Sequence, residues 1–315
     1  MQLVSIIVPA KNQENYIAAT IQSLIAQDYS ELEIVIVDDK STDRTKNIAE
    51  SFNDSRIKIL DGPGKGFVQS FNTGLFNAKG EIVMQCDADD IYPPGRVSKQ
   101  VAWLATHPEF DAVCGAFYSM DTQGKTISRL AHFPAEEEIS HELRQSITRT
   151  SLCTFAMHRE AVVNIGGLRD FFLTSGDIDF QLRFGEKHRV WYLPDFFYYY
   201  RIHNASITHS QPTAARVFFE ATARLFQRQR QQNGFDDLMA GSPPTPPDGR
   251  APVNATSQHI AGLLTGEAWR LHRDGKKKEA IFKALQLIQG NPLDYSRWKQ
   301  CLLILLKKTP TLPKL

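Results

Sequence analysis

The stretch IVMQCDADD at residues 82–90 joins an apolar run of strand length to three carboxylates within four residues. A buried strand that ends in Asp-x-Asp presents acidic side chains at its carboxyl end, where open α/β sheets bind their ligands. Carboxylate oxygens suit a divalent cation that also holds a diphosphate. Taken alone, an acidic turn that caps the next helix is the commoner explanation. The flanking sequence decides between these two interpretations.

The residues before this stretch alternate between strand and helix patterns. β-branched, apolar runs at residues 4–8, 34–37 and 57–60 are each followed by apolar residues at helical spacing. Residues 82–85 are therefore the fourth strand of a series. Such alternation predicts an α/β fold, with a mostly parallel sheet and helices on both faces.

Composition excludes several classes of protein. A formal net charge of +1 over 315 residues argues against extensive nucleic-acid binding. The four cysteines lack Cys-x-x-Cys spacing, so neither a zinc site nor a disulfide framework is indicated. No apolar run approaches the about 20 residues that a bilayer requires, and the first residues do not form a signal peptide. The expected location is the cytoplasm.

Two turns match nucleotide-binding motifs only in part. The first strand is not followed by Gly-x-Gly-x-x-Gly, which disfavours a dinucleotide-binding dehydrogenase. The turn GPGKG at residues 62–66 lacks the Ser or Thr that follows the lysine of a P-loop. A P-loop NTPase is therefore disfavoured too, and this turn is expected to be a flexible connection.

Patterns in the middle of the chain are less regular. Residues 121–145 are rich in charge, which predicts a mobile loop rather than core. Residues 175–184, SGDIDFQLRF, fit either a strand or a helix, and their two carboxylates would suit a helix start. His203 follows an aromatic run at residues 196–200 and, by itself, would be a surface histidine.

The last third changes in composition. We expect an arginine-rich helical segment at residues 211–241, a proline-rich linker at residues 242–255 and a helical region at residues 256–315. The end of this region combines apolar and basic residues. That combination fits either a membrane surface or packing on the preceding domain.

The order of these motifs resembles that of the family-2 glycosyltransferases, which are inverting, metal-dependent GT-A enzymes that use nucleotide sugars. Each motif is weak alone, but their order and spacing are specific. The resemblance implies a GT-A domain with a Rossmann-like, mostly parallel sheet at residues 1–210, followed by a C-terminal helical extension. It is carried by VSIIVPAKN at 4–12, VDDKSTD at 37–43, NTGL at 72–75, AKGE at 78–81, DADD at 87–90, GG at 166–167 and GDID at 176–179.

The resemblance implies roles for individual residues around the nucleotide. Asp39 would hydrogen-bond the base, typically uracil, and Asp87 and Ala88 would lie against the ribose and diphosphate. The whole implied nucleotide set is Pro9, Ala10, Glu14, Asp39, Asn72, Asp87, Ala88 and Asp89.

The same resemblance implies a metal site and a catalytic base. Asp89 would ligate Mn²⁺ or Mg²⁺, and His203 would complete the metal or diphosphate environment. Asp177 matches the base that takes the proton of the attacking hydroxyl. Asp179 is expected to support the site, and Asp90 to cap the following helix.

The implied activity is transfer of a single sugar from a nucleoside-diphosphate sugar to a hydroxyl acceptor in polysaccharide or glycolipid assembly. A UDP-sugar is the expected donor. The Gln-x-x-Arg-Trp signature of processive synthases is absent after Asp177, which disfavours polymerisation. Phe71 stands where many relatives have arginine, and that departure leaves the nucleotide open. Peripheral membrane contact through the C-terminal helices is a further expectation.

Two other functions fit parts of the pattern. A catalytically inert sugar-nucleotide-binding scaffold would share the fold, but it would not need Asp177. A sugar nucleotidyltransferase also combines a parallel sheet with an acidic metal site. Its usual Gly-rich, Arg-containing loop is missing from residues 9–12, PAKN.

Overall fold

The computed structural model describes residues 1–203, 206, 213–247, 255–289 and 291–307. Its first part alternates strands with helices, as the sequence predicts. The strands are β1 (Val4–Ala10), β2 (Leu32–Asp38), β3 (Ile57–Asp61) and β4 (Ile82–Gln85), and the helices are α1 (Ile17–Ile25), α2 (Thr45–Glu50), α3 (Phe67–Asn77) and α4 (Arg96–Thr106). The acidic stretch therefore begins as a buried strand.

Nine strands of the described residues form one mixed sheet in the order β3-β2-β1-β4-β8-β5-β9-β7, with β6 beside β5. The later strands are β5 (Ala112–Met120), β6 (Thr126–Leu130), β7 (Glu137–Glu138), β8 (Ala156–His158) and β9 (Val190–Arg201). The first four strands pair in parallel, and β8 is antiparallel to both β4 and β5. Because β9 is parallel to β5, the carboxyl ends of β1, β4, β5 and β9 meet at one edge.

Helices cover both faces of this sheet, which confirms the predicted α/β class. Ile6 and Val8 of β1 face the core that α1 and α4 complete, whereas Ile7 faces the core that contains Phe71 and Leu75 of α3. Strands that are buried on both faces need continuous apolar runs rather than alternation. Each such side chain stabilises the fold by about 1.5–3 kcal/mol.

Residues 121–145 are not the mobile loop that the sequence predicts. A tight turn at Gly124, whose φ is 83°, returns β5 into β6. Ile127 is buried there, and helix α5 (Ser140–Arg144) buries Leu143 in the core below the sheet. The charges misled the prediction because they occupy the outward positions of elements whose other face is buried.

The ambiguous residues 175–184 lie in a helix. Helix α6 (Arg159–Asn164) precedes it, and helix α7 (Gly176–Lys187) places Phe180 and Phe184 four residues apart in the same core. The spacing of four residues puts both rings on one helical face. The sequence pattern left strand and helix open for these residues, and the packing of the two rings shows why the helix forms.

Among the described residues, four more helices follow β9. Helix α8 (Thr213–Asn233) packs Phe219 and Phe226 against Phe172 and Leu182, so this segment joins the α/β domain through α7. Helices α9 (Ala255–Arg273), α10 (Lys277–Gln289) and α11 (Tyr295–Leu306) share their own small core. Within the described ranges, no helix is long and apolar enough to cross a bilayer.

Helices α9 and α10 pack on the sheet at β6. Leu264 of α9 and Leu287 of α10 bury Ile127 of β6 together with Ile202, which follows β9. Residues 242–247 form neither helix nor strand. The predicted domain boundaries stay a prediction.

Candidate active site

The acidic residues 87–90 follow β4 at the edge where the strand ends meet. The backbone N–H of Asp87 donates to the hydroxyl of Tyr198 on β9 at 2.9 Å. The carbonyl of Ala88 accepts the hydroxyl of Thr20 on α1 at 3.0 Å. Contacts from two elements therefore fix the start of this loop before any ligand binds.

Arg201, the last residue of β9, fixes the rest of the loop. Its Nε donates to the carbonyl of Asp89 at 2.7 Å, and its backbone N–H donates to Oδ1 of Asp90 at 2.6 Å. Asp90 is fully buried and does not cap a helix. That expectation was wrong because Gly95, in a left-handed conformation, starts α4 farther along the chain.

Asp89 and His203 come together although 114 residues separate them. Oδ2 of Asp89 lies 2.6 Å from Nε2 of His203. The ring of Tyr16, just before α1, lies 4.8 Å from the imidazole and also beneath the guanidinium of Arg201 at 5.0 Å. The two residues predicted as metal ligands are thus adjacent in a partly enclosed site.

The chemistry of this donor pair fits a divalent cation. Over the ranges that the structure describes, no group of three or more His, Cys, Asp or Glu side chains is arranged to hold a metal. Mg²⁺ and similar ions in nucleotide sites commonly take one or two protein ligands and fill the remaining positions with phosphate and water. One carboxylate and one imidazole also suit Mn²⁺.

The electrostatic environment of Asp87 favours a positive ligand. Burial raises the pKa of the Asp87 carboxyl to about 7, and the charges of Asp89 and Asp177 act in the same direction. The side-chain amide of Gln85 donates to it at 2.9 Å and opposes the shift only in part. A cation bound here would relieve repulsion among three carboxylates.

Asp177 lies in the first turn of α7, two residues after the N-cap Ser175, whose φ is 58°. Burial raises the pKa of the Asp177 carboxyl, although the backbone N–H of Ile178 counteracts this. A raised pKa is the usual adjustment of a carboxylate that serves as general base. Since its charge acts on Asp87, Asp177 shares the electrostatic environment of the acidic loop.

Asp179 is fully buried and ion-paired. It accepts hydrogen bonds from Arg169 and from Nε of Arg183, the latter at 2.9 Å. Arg169 continues to Asp236 at 2.7 Å, and Asp236 accepts from Arg230 of α8 at 2.5 Å. The network joins α8 to the helix that carries Asp177, which agrees with a supporting role for Asp179.

Asp39 follows β2 and is held by the glycine-rich turn at residues 62–66. Its two carboxylate oxygens accept the backbone N–H groups of Gly64 at 2.7 Å and Gly66 at 2.8 Å, and Lys11 lies 3.3 Å away. Burial opposes ionisation of Asp39, but these hydrogen bonds outweigh it and lower its pKa. Gly64 and Gly66 have φ angles of 76° and 94°, which glycine adopts more readily than any other residue. Contact of Asp39 with a base stays a prediction.

The predicted residues of the first loop occupy two settings. Pro9 and Ala10 end β1 in the core, and the carbonyl of Ala10 accepts the N–H of Asp39 at 2.8 Å. Pro9 and Ala10 therefore lie beside the carboxyl end of β2, close enough to share a pocket with Asp39. Glu14 instead accepts Nε of Arg44 at 3.1 Å.

Asn72 forms a two-point contact with a neighbouring loop. Its side-chain nitrogen donates to the carbonyl of Leu168 at 2.8 Å, and its oxygen accepts the N–H of Leu168 at 3.0 Å. A Cβ at Gly167 would collide with this side chain. Asn72 thus anchors the loop before α7, and its predicted nucleotide contact stays a prediction.

Sequence reasoning missed the residues that fix the acidic loop. The sequence patterns include Tyr198 only as part of an aromatic run and do not single out Arg201. Their partners lie 111 and 112 residues away, and no local pattern carries such pairings. A polar tip at the end of an otherwise buried strand was the available signal.

Comparison with known proteins identifies the family. The model of the family described as glycosyl transferase family 2 matches residues 5–166, about half of the chain. The chain belongs to glycosyltransferase family 2. It is 30% identical over 212 residues to the Escherichia coli UDP-Glc:alpha-D-GlcNAc-diphosphoundecaprenol beta-1,3-glucosyltransferase WfaP, covering 66% of this chain and 80% of that protein. The predicted family and the predicted enzyme class are therefore confirmed.

One further relative and two solved structures illustrate the range of the matches. An uncharacterized glycosyltransferase of Haemophilus influenzae is 40% identical over 114 residues, and the match spans 35% of each protein. Among solved structures, S. aureus TarS 1–349 in complex with UDP-GlcNAc has a TM-score of 0.61 at 21% identity, covering 91% of this chain and 81% of that one. The mannosyltransferase PcManGT of Pyrobaculum calidifontis, in complex with GDP-Man and Mn²⁺, has a TM-score of 0.52 at 20% identity, covering 96% and 85%. These structures share the fold.

Proposed function

We propose that this glycosyltransferase moves one sugar from a UDP-sugar to a hydroxyl acceptor, with inversion and with a divalent cation. The contact of 2.6 Å between Asp89 and His203 carries the proposal, because it assembles two metal donors beside the loop that ends β4. Two solved structures of the same fold are complexes, one with UDP-GlcNAc and the other with GDP-Man and Mn²⁺. They support a nucleotide-sugar donor.

Asp89 and His203 would hold the cation, and Asp87 would stabilise it through its charge. When bound, the cation stabilises the negative charge that develops on the departing diphosphate. The residues around the cation contribute by holding the loop in place. Tyr198 and Arg201 hold the loop backbone, so little reorganisation is needed when the donor binds.

Asp177 is the proposed general base. Its carboxylate takes the proton of the acceptor hydroxyl while that oxygen forms a bond to the anomeric carbon. The bond from the anomeric carbon to the diphosphate oxygen breaks, and the nucleoside diphosphate leaves with the electron pair. A single displacement from the opposite face inverts the anomeric configuration. The raised pKa of Asp177 supports this role.

Asp39, Pro9 and Ala10 form the proposed nucleotide end of the site. Asp39 is ionised and rigidly held, so its carboxylate is suited to accept from an imide or amine of the base. Glu14 and Asn72 act on this pocket through the loops that they hold.

The acceptor in this proposal is a lipid-linked sugar diphosphate in cell-envelope polysaccharide assembly. Two Escherichia coli relatives, WfaP at 30% and WfgD at 38% identity, are named as acting on GlcNAc-diphosphoundecaprenol. Peripheral membrane contact would follow from such an acceptor. On α11, Tyr295, Trp298 and Leu302 recur at helical spacing and are 46–79% exposed, which suits an interfacial helix.

The test is a screen of UDP- and GDP-sugars for release of the nucleoside diphosphate, with and without Mn²⁺ and with sugar-diphosphate lipid acceptors. We expect release to require both the cation and an acceptor. Binding without release would favour an inert scaffold. Formation of pyrophosphate from a nucleoside triphosphate and a sugar phosphate would favour a nucleotidyltransferase.

A further inference from the structure

A buried arginine contacts two tyrosines that hold the end of β4. Arg96 is the first residue of α4, and it is 1% exposed. Its guanidinium carbon lies 3.8 Å from the ring centre of Tyr92 and 5.4 Å from that of Tyr198. A guanidinium within about 6 Å of a ring centre is attracted to the face of that ring, most strongly where water is excluded. Arg96 therefore helps to place both rings.

The hydroxyls of these tyrosines contact the backbone on either side of Cys86. The hydroxyl of Tyr92 donates to the carbonyl of Gln85 at 2.6 Å. The N–H of Asp87 donates to the hydroxyl of Tyr198 at 2.9 Å. The two rings are buried and pack edge to face, with their centres 5.8 Å apart. Together they fix the point at which strand β4 ends and the acidic loop begins.

Hydrogen bonds to a second segment fix the guanidinium of Arg96. Its Nε donates to Oε1 of Gln100 at 3.0 Å, and its Nη2 donates to the carbonyl of Cys153 at 2.7 Å. Gln100 in turn donates to the carbonyl of Thr154 at 2.9 Å. Because the donors of a guanidinium lie in one rigid plane, these bonds set the orientation of its faces. Arg96 therefore joins the two tyrosines to the segment before β8.

The backbone that these contacts hold is close to the proposed metal ligand. Asp89 follows Asp87 by two residues, and its carbonyl is held separately by Arg201. Mg²⁺ tolerates little distortion of its ligand geometry, so the affinity for the cation depends on how firmly the loop is held. A shift of the loop at Asp87 would therefore change the position of Asp89.

We propose that Arg96 is a positioning residue for the metal-binding loop and that it acts through Tyr92 and Tyr198. The inference rests on the proposed function, because it assumes a cation at Asp89 and His203. Arg96 is not among the residues to which the family resemblance gives a role. An apolar side chain of similar length would fill the space of Arg96, but it would neither attract the two rings nor donate hydrogen bonds.

The first test measures the Kd for UDP with Mn²⁺ by calorimetry in Arg96→Met. We expect about tenfold weaker binding, since the loop that carries the metal ligand is no longer held in place. Arg149→Met is the matched control, because Arg149 is also buried and lies 5.5 Å from the ring centre of a buried tyrosine, Tyr192. Tyr192 belongs to the core on the other face of the sheet. The Kd of this control should stay within about twofold of the wild-type value.

A double-mutant cycle tests whether Arg96 acts through Tyr198. Tyr198→Phe keeps the ring and removes the hydroxyl that accepts the N–H of Asp87, so it should also weaken binding about tenfold. The double variant Arg96→Met, Tyr198→Phe should then be weakened about tenfold, not the about hundredfold that two independent effects would give. If Arg96→Met does not fold, Arg96→Lys takes its place in the cycle, because it keeps the positive charge and loses the planar donors.

Three results would overturn the inference. They are an unchanged Kd in the Arg96 variant, an equal loss in Arg149→Met, and additive losses in the double variant. The first would show that the loop is held without Arg96, the second that any buried cation has this effect, and the third that Arg96 does not act through Tyr198. Failure of the wild type itself to bind UDP with Mn²⁺ would instead count against the proposed function, and the inference would fall with it.

Discussion

At the scale of single residues, the site depends on side chains whose charge is adjusted by their surroundings. Asp39 is kept ionised by two backbone N–H groups, whereas burial raises the pKa of Asp177. The proposed mechanism thus uses the same residue type for two tasks. In it Asp39 provides a fixed acceptor, and Asp177, whose pKa is raised, serves as the base.

This adjustment predicts a pH dependence. In the proposed mechanism Asp177 acts as the base only when it is ionised, so kcat/KM should fall tenfold per pH unit once the pH drops below the raised pKa of Asp177. The carboxylate of Glu220 on α8 contributes to that raised pKa. In Glu220→Gln the acid limb should therefore move to lower pH, as measured by a pH–rate profile.

The matched control is Glu160→Gln, an exposed position on α6, which should leave the profile unchanged. An acid limb that stays at the same pH in Glu220→Gln would show that another group controls it.

At the scale of elements, α7 is positioned by a buried ionic network rather than by apolar packing alone. Arg183 donates to the carbonyls of Ile165 and Gly167 as well as to Asp179, and so joins the helix to the loop before it. Arg230 joins the same helix to α8 by pairing with Glu186 at 2.7 Å. Displacement of either element would move Asp177.

Removal of one buried partner should be costly. Asp179→Ala leaves the cations of Arg169 and Arg183 without their shared carboxylate, and the free energy of unfolding should fall by about 3–5 kcal/mol. Asp61→Ala removes an exposed partner of Lys46 and should leave the free energy of unfolding nearly unchanged, because solvent screens exposed ion pairs. Urea denaturation measures both. Equal losses in the two variants would contradict the structural role of the network.

Sequence reasoning recovered the elements better than the contacts between them. Runs such as residues 4–8 and 34–37 are buried on both faces, and their composition alone identifies them as central strands. The loop before α7 and the β5–β6 hairpin depend on partners such as Asn72 and Ile202, which lie far away in sequence. Their charged outer faces carried no sign of those partners.

At the scale of the whole molecule, charge is unevenly distributed. Residues 256–315 carry eleven Lys and Arg against four Asp and Glu, although the net charge of the chain is only +1. The basic part is the helical region that packs on β6 and exposes one face of α11. Such a distribution favours approach to anionic surfaces from that side.

The proposed membrane contact can be tested on this face. The double variant Leu302→Glu, Leu305→Glu places two charges in the exposed stripe of α11. It should reduce binding to vesicles containing phosphatidylglycerol by about tenfold or more, because burying a charge in the membrane interface is unfavourable. Co-sedimentation measures the bound fraction. Val217→Glu, at an exposed apolar position on α8, is the control and should bind like the wild type.

Unchanged co-sedimentation of the α11 variant would contradict the membrane contact. A change from dimer to monomer, without any vesicle binding by the wild type, would instead assign this face to a second copy of the chain.

The most direct test of the central claim compares the wild type with Asp177→Asn in Mn²⁺-dependent transfer from a UDP-sugar. Asparagine keeps the size of the side chain but cannot take the proton of the acceptor. The rate of transfer should fall about 10²- to 10⁴-fold, while the Kd for UDP with Mn²⁺ stays within about twofold. Near-normal transfer by Asp177→Asn would contradict the assignment of Asp177 as the base.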